Sequence, residues 1–273
     1  MGKVPLKRLL VALGFFREEE EALRWIMAGK VLVNTEPVDK PGLRVDPKAS
    51  LRIRGIEKPY VSRGGLKLAH ALTVFKVPVV GKVVIDVGAC EGGFTDCLLQ
   101  HGARLVYAVD VARNRLAWKL RSAPQVVNLE GHNIGDLSPG ELDPAPEMAT
   151  IDVTYLAVSG AIAQTAPLLP KDADILALIK PMFELRTGET VVCPDDLRAS
   201  VVSAMEGAER GGCRVLGLDH SPILGGRGAA EFLLWARKGR GPRQILQEHV
   251  EACVAEAVEQ ITAYQGRACS ETK

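Results

Sequence analysis

The stretch Ile85-Asp86-Val87-Gly88-Ala89-Cys90-Glu91-Gly92-Gly93-Phe94-Thr95 decides how the rest of the chain reads. It opens as an apolar strand, 83–85, then turns at glycines that permit sharp bends and close approach of a ligand, and enters a helical stretch over 93–100 whose N-terminus favours negative groups. Taken alone, the same residues also suit a purely structural strand-to-helix turn. Outward from it, apolar runs recur at 105–109, 125–129, 148–151 and 175–179, separated by helix-length segments such as 113–121 and 156–168. Short buried strands alternating with helices predict an α/β fold with a doubly wound, mostly parallel sheet. Ligands of such sheets bind beyond the carboxyl ends of the strands, so the residues at those ends are the ones to inspect.

The chain has 273 residues, 47% hydrophobic, 25% charged and 5% aromatic, which is ordinary globular usage and excludes disordered and fibrous classes. No segment approaches the roughly 18 uninterrupted apolar residues of a spanning helix. The start, Met1-Gly2-Lys3-Val4-Pro5, lacks the apolar region of a signal peptide, so a soluble cytoplasmic protein is expected. Six cysteines, at 90, 97, 193, 213, 253 and 269, show no CxxC pair and no adjacent histidine, and read as reduced packing residues with no metal site. The length suggests two domains.

Charge separates the two ends. Residues 1–60 hold 12 Lys and Arg against 8 Asp and Glu, and the remainder holds 22 against 25. Within the basic end, Leu6, Leu9, Leu10 and Leu13 have helical spacing before Gly14, and Glu18 to Glu21 open a second helix with a core stripe of Ala22, Leu23, Ile26 and Met27, ending at Gly29. Strands are expected at 31–34 and 51–54, joined by a loop bearing Pro, Gly and Asp. These residues resemble the S4 RNA-binding domain, the match being Arg8, Gly14, Arg17, Ala22, Ile26, Gly29, Val31, Val33 and Asn34. The face that would meet RNA phosphates is Lys7, Arg8, Arg17, Arg24 and Lys30, unless it is only a solvated surface.

The glycine stretch is not the dinucleotide fingerprint, because its third glycine is out of register and Asp86 precedes it. Asp-x-Gly-x-x-x-Gly-Gly after a strand resembles motif I of class I (Rossmann-like) methyltransferases. That resemblance implies S-adenosylmethionine as cofactor, held by Asp86, Gly88, Ala89, Gly92, Gly93 and Phe94, with Asp110 on the ribose hydroxyls and Asn133 at the adenine; Asn133 equally suits a structural turn. Four further residues stand out: Lys67 entering the first helix of this region, Asp152 and Lys180 at strand ends, and Glu231 within the apolar run 229–235, where a charge in a strand needs a partner. Together they resemble the Lys-Asp-Lys-Glu tetrad of the RrmJ/FtsJ-type ribose 2'-O-methyltransferases.

Over nearly its whole length the chain resembles the TlyA (hemolysin A) family, through residues 62–68, 86–99, 107–111 and 178–184. The implied organisation is an S4-like domain over 1–57, a linker over 58–62 and an FtsJ-like methyltransferase domain over 63–273, with the glycine and proline near the linker letting the two reorient. The implied substrate is the 2'-hydroxyl of cytidine in ribosomal RNA, the implied partner ribosomal RNA or a ribosomal subunit. Departures from the family pattern are Cys90-Glu91 in the glycine loop, Val153-Thr154-Tyr155, and Leu185-Arg186-Thr187 after Glu184.

Lys180 would orient the 2'-oxygen and stabilise developing alkoxide charge, or act neutral as the base under pressure from Lys67; the sequence leaves both open. Asp152 and Glu231 would fix the lysines. Arg63 suits either an RNA phosphate contact or a helix-entry ion pair. Rival readings are a degenerate, non-catalytic RNA-binding protein, a small-molecule methyltransferase, and a membrane-active hemolysin. Against the last, 244–264 reads as an ordinary docking or solvated helix, and 266–273 as a frayed end.

Overall fold

The computed structural model describes residues 3–16, 18–55 and 59–265; Arg17, part of the expected linker and the segment 266–273 fall outside these. The N-terminal module contains β1 (Val4–Pro5), α1 (Leu6–Ala12), α2 (Glu19–Met27), β2 (Val31–Val33), β3 (Glu36–Val38), β4 (Arg44–Val45) and β5 (Leu51–Ile53). Leu6, Leu9 and Leu10 of α1 are buried as their spacing requires, and Leu13 caps the helix half-buried. The α2 stripe is narrower than expected. Ala22 and Ile26, one helical turn apart, are fully buried, whereas Leu23 is half-buried and Met27 is 53% exposed, because a nine-residue helix with one packed face reaches the core along a single i, i+4 row. The loop between the expected strands itself pairs: β3 and β5 flank β2, and β4 pairs with β1.

The large module runs through α3 (Gly64–Phe75), β6 (Val83–Val87), α4 (Gly93–Gln100), β7 (Leu105–Asp110), α5 (Trp118–Arg121), β8 (Val126–Glu130), β9 (Met148–Ile151), α6 (Val158–Thr165), β10 (Asp174–Ile179), α7 (Pro181–Glu184), α8 (Pro194–Arg210), β11 (Cys213–His220), β12 (Phe232–Lys238) and α9 (Gln247–Gln265). Its seven strands lie in the order β11-β12-β10-β9-β6-β7-β8, parallel from β10 to β8, with β12 antiparallel to both β10 and β11. The strand order reverses between β6 and β9, which puts a crevice at their carboxyl ends.

Period-two alternation sorts the strands onto two cores. Val83, Ile85 and Val87 face the layer that holds α6, α8 and α9, while Val84 faces α3 and α4. Two expectations shift. The expected helix over 113–121 shrinks to α5, because Asn114 adopts a left-handed conformation and Glu130 Oε1 takes the N–H groups of Arg115 (2.6 Å) and Leu116 (2.9 Å) that a helix would have used. Glu231 lies one residue before β12 rather than inside a strand; the register pairs Ile179 with Phe232, so Lys180 and Glu231 leave the sheet side by side.

Helix α9 packs on α8, β11 and α1, so the N-terminal module shares a continuous apolar core with the large one. Leu224 N–H donates to Ala12 O across that junction at 3.0 Å. No helix among the described residues is long and apolar enough to cross a membrane. The narrowed α2 stripe predicts unequal costs in chemical denaturation: Ile26→Ala should lose about 2–5 kcal/mol, and its neighbour Met27→Ala less than about 0.5 kcal/mol. Equal costs would contradict the burial assigned to this helix.

Candidate active site

Glycine is required where β6 ends. Gly88 has a φ of +88°, and a Cβ there would stand 2.2 Å from the backbone oxygen of Asp152. The N–H groups of Gly88 and Ala89 donate to Val109 O at 2.8 and 3.0 Å, which locks the loop to β7. Cys90 follows in the left-handed region (φ 48°), and its N–H donates to Asp110 Oδ2 at 2.8 Å, while Ala112 N–H donates to Asp110 Oδ1 at 2.7 Å. Each carboxylate oxygen of Asp110 therefore keeps a second lone pair for a ligand hydroxyl. Asn133 accepts from Gly135 N–H at 3.1 Å and caps the single turn Ile134–Asp136, after the end of β8.

Asp86 does something else. Its carboxyl is fully buried and accepts from the hydroxyls of Thr95 (2.6 Å) and Thr150 (2.9 Å), so it ties β6 to α4 and β9 beneath the loop and has no surface for a ligand. Burial pushes its pKa up from 3.8 to about 6, with the two threonine bonds opposing. Phe94 is also largely buried, its ring against Gly64 at the start of α3, but unlike Asp86 it lines the cleft beside Gly88, Ala89 and Gly93. Gly92 and Gly93 complete the loop at the N-terminus of α4.

Two ion pairs form the centre. Lys67 of α3 pairs with Glu231, both buried, and Lys180 pairs with Asp152. Four residues from four different elements thus meet at the strand ends as two neutral couples, which is how charge is accommodated away from water. Asp152 N–H donates to Val87 O at 2.8 Å, fixing this residue against the glycine loop. Two cavities meet here. A cleft of about 590 Å³ between the modules is lined by Lys67, Gly88, Cys90 and Asp152, and a second cavity of about 520 Å³ by Thr154, Lys180, Phe183 and Glu231.

Arg227 borders both cavities, and sequence reasoning missed it. It is exposed, with a φ of 61°, in the run Gly225-Gly226-Arg227-Gly228 that leads to Glu231. A Cβ on Gly225 would meet Glu231 Oε1 at 2.2 Å, so the loop lies directly on the tetrad. A lone cation among glycines, four residues before the glutamate, was the available signal. Lys48 of the N-terminal module also lines the cleft and was missed. Arg63 is half-buried there, its Nη1 enclosed without a hydrogen-bond partner; burial lowers its pKa, with Glu231 and Tyr264 opposing.

The expected RNA face is only partly free. Lys7 and Arg8 share Glu19 at 2.8 and 3.2 Å, Lys30 sits 5.8 Å from the centre of the Trp25 ring, and Arg24 is exposed; Arg17 lies outside the described residues. The first-turn acid that favours the α2 N-terminus therefore also neutralises part of α1.

The sheet order, the glycine cradle that a Cβ would fill and the paired oxygens of Asp110 fit S-adenosylmethionine, and they define a class I S-adenosylmethionine-dependent methyltransferase. The FtsJ-like methyltransferase family matches residues 60–238 and the S4 domain family matches residues 4–51. YqxC of Bacillus subtilis is 41% identical over 93% of this chain and 94% of its own length. The 16S/23S rRNA (cytidine-2'-O)-methyltransferase TlyA of Mycobacterium tuberculosis is 36% identical over 84% of this chain and 87% of its own. A solved structure described as a hemolysin from Streptococcus thermophilus superposes with a TM-score of 0.77 at 36% identity, covering 98% of this chain and all of the other. The chain belongs to the TlyA family, an S4 domain joined to an FtsJ-like methyltransferase domain.

Because the folded pKa of Asp86 lies above its ordinary value, the native state holds an extra proton between pH 3.8 and about 6, and stability falls as pH rises through that window. Relative to Asp86→Asn, the wild type should lose about 2 kcal/mol between pH 4 and 7 in denaturant titrations. Parallel pH profiles for the two proteins would place the carboxyl in water instead.

Proposed function

We propose that this methyltransferase modifies the ribose 2'-hydroxyl of a cytidine in ribosomal RNA. The observation that carries the reading is the position of the two ion pairs between two cavities, one bounded by the glycine loop and the other by Lys180. Bound S-adenosylmethionine supplies a methyl group already activated on a sulfonium. Gly88, Ala89, Gly92, Gly93 and Phe94 would border it, Asp110 would accept from its ribose and Asn133 would meet its adenine, with Asp86 supporting the loop from beneath.

What remains for the protein is to position a weakly nucleophilic hydroxyl and to remove its proton. Asp152 provides the counter-charge for an ammonium on Lys180. That ammonium orients the 2'-oxygen and stabilises its developing charge; as the methyl group transfers, Lys180 yields one of its protons to Asp152 and takes the hydroxyl proton in its place, so that Lys180 ends as an ammonium and Asp152 as a carboxylic acid. Glu231 holds Lys67 so that the second cation stays at the site without a free negative partner. The target nucleotide must be looped or flipped, since a ribose in an intact helix could not enter the second cavity.

The N-terminal module would supply affinity for the surrounding RNA through Arg24, Lys30, Lys48 and the outside residue Arg17, with Lys7 and Arg8 contributing once RNA phosphates compete for Glu19. Arg63, with its unpaired donor, and Arg227 are the cations placed to hold phosphates next to the tetrad. The relative named as a 16S/23S rRNA (cytidine-2'-O)-methyltransferase supports the substrate, and a ribosomal substrate supports a cytoplasmic location.

Labelled methyl transfer from S-adenosylmethionine to unmodified ribosomal subunits, mapped to the nucleoside, tests this reading. The wild type should label a cytidine ribose, and Lys180→Ala should slow transfer by at least about 100-fold while leaving cofactor binding intact. Label on a base, or no label on either subunit, would overturn it. Arg227→Ala should raise the KM for the subunit about tenfold or more and leave cofactor affinity unchanged, as expected for one charge-assisted phosphate contact. An unchanged KM would remove this residue from the RNA path.

A further inference from the structure

A second cluster of titratable side chains lies apart from the tetrad, where α3, β11 and α9 converge. It comprises His70 of α3, Asp219 and His220 at the end of β11, and Glu256 of α9. One donor atom each from Asp219, His220 and Glu256 lie within 4.8 Å of one another. His220 Nδ1 is 3.2 Å from Asp219 Oδ1 and 2.8 Å from Glu256 Oε2. The other oxygen of Asp219, Oδ2, is 2.9 Å from His70 Nε2, and the two imidazole rings meet edge to face with centroids 6.4 Å apart.

Charge and geometry both ask for a cation at this point. Two carboxylates converge on one imidazole nitrogen, and among the described residues no Lys or Arg pairs with either of them; their ion-pair partners are the two histidines alone. His220 Nδ1 is enclosed, and although both carboxylate oxygens are near, neither is aligned to hydrogen-bond with it. In a tetrahedral site with metal–ligand bonds near 2.0–2.2 Å, adjacent donors stand roughly 3.3 Å apart. His220 Nδ1 stands 3.2 and 2.8 Å from the two carboxylate oxygens, so only small side-chain adjustments separate Asp219, His220 and Glu256 from coordination, while His70 holds the other oxygen of Asp219 from outside the group. One imidazole nitrogen with two carboxylate oxygens suits a borderline first-row dication of the zinc type, whereas magnesium and calcium prefer oxygen alone.

We propose that Asp219, His220 and Glu256 form a three-ligand Zn²⁺ site with its fourth position left to water, and that His70, bonded to the other oxygen of Asp219, orients that ligand from α3, so that the site ties α9 to β11 and α3. The expectation of no metal came from the cysteine spacing, and this donor set contains no cysteine. Its donors come from positions 219, 220 and 256, with residue 70 behind them, so no local motif announces it. The site lies outside the methyl-transfer machinery and does not depend on the substrate proposed above. Its effect is mechanical: His70 is one turn beyond Lys67 on α3, and Glu256 is on the helix that also contacts the N-terminal module.

The test uses the full-length, untagged protein stripped with a chelator and dialysed, then titrated with ZnCl₂ by calorimetry, with metal content measured after gel filtration. One zinc per chain is expected, together with a higher Tm in the zinc-loaded protein. His220→Gln and the more conservative, surface-accessible Glu256→Gln should each weaken binding by at least about 100-fold, because even loss of an outer-shell partner costs about 10- to 100-fold. Co²⁺ substitution should give tetrahedral ligand-field bands without thiolate charge transfer. No stoichiometric uptake, uptake that survives both variants, or a thiolate band showing that cysteines hold the metal would each overturn the proposal and leave the cluster as a histidine–carboxylate proton network only.

Discussion

Two ion pairs, the buried Lys67 with Glu231 and the half-buried Lys180 with Asp152, constrain the rest of this structure. A lysine or a carboxylate left alone at that depth would carry a desolvation cost of several kcal/mol, so the four residues hold their places only as couples. Each couple spans elements far apart in sequence. Lys67 enters with α3 and Glu231 with the strand that returns antiparallel to β10; Asp152 and Lys180 leave the neighbouring parallel strands β9 and β10. The sheet order is thereby also the order in which charges are delivered to one edge. Losing one partner would leave the other exposed to the full penalty, which makes the site and the topology mutually dependent.

The same edge explains the glycine loop. Gly88 lies close enough to the Asp152 backbone that a methyl group would not fit, so the turn holding one end of the ligand space and the residue anchoring Lys180 are in contact through bare backbone. Beneath them Asp86 is sacrificed as a ligand and used as a tie, gripping Thr95 and Thr150. Arg227 and Arg63 then add cations at the mouth, one on a glycine loop laid against Glu231 and the other half-buried with an unmet donor. The N-terminal module closes the cleft from the far side through Lys48.

How much of this the sequence carried depends on whether the signal was local. The parallel strands were readable because burial on both faces leaves unbroken apolar runs, and the glycine loop because its spacing is contiguous. The tetrad positions were readable through resemblance, though the run around Glu231 misplaced it within a strand. The role of Asp86 was not legible: strand alternation turns residue 86 towards α4, and that face is set by the whole sheet. Arg113 to Ala117 looked helical because nothing in the segment itself reveals that Glu130, on the next strand, captures two of its amides. The pairing of Lys7 and Arg8 with Glu19 was hidden for the same reason, since charge counts do not say which charges meet.

The central claim is that the glycine loop and Lys180 face the same ligand from opposite cavities. A crystal structure of the protein with S-adenosylhomocysteine tests it most directly. The sulfur should border the Gly88–Gly93 loop, open towards Lys180 Nζ, with the adenosine ribose on Asp110. A ligand whose sulfur is walled off from Lys180, or which binds away from the glycine loop, would contradict it.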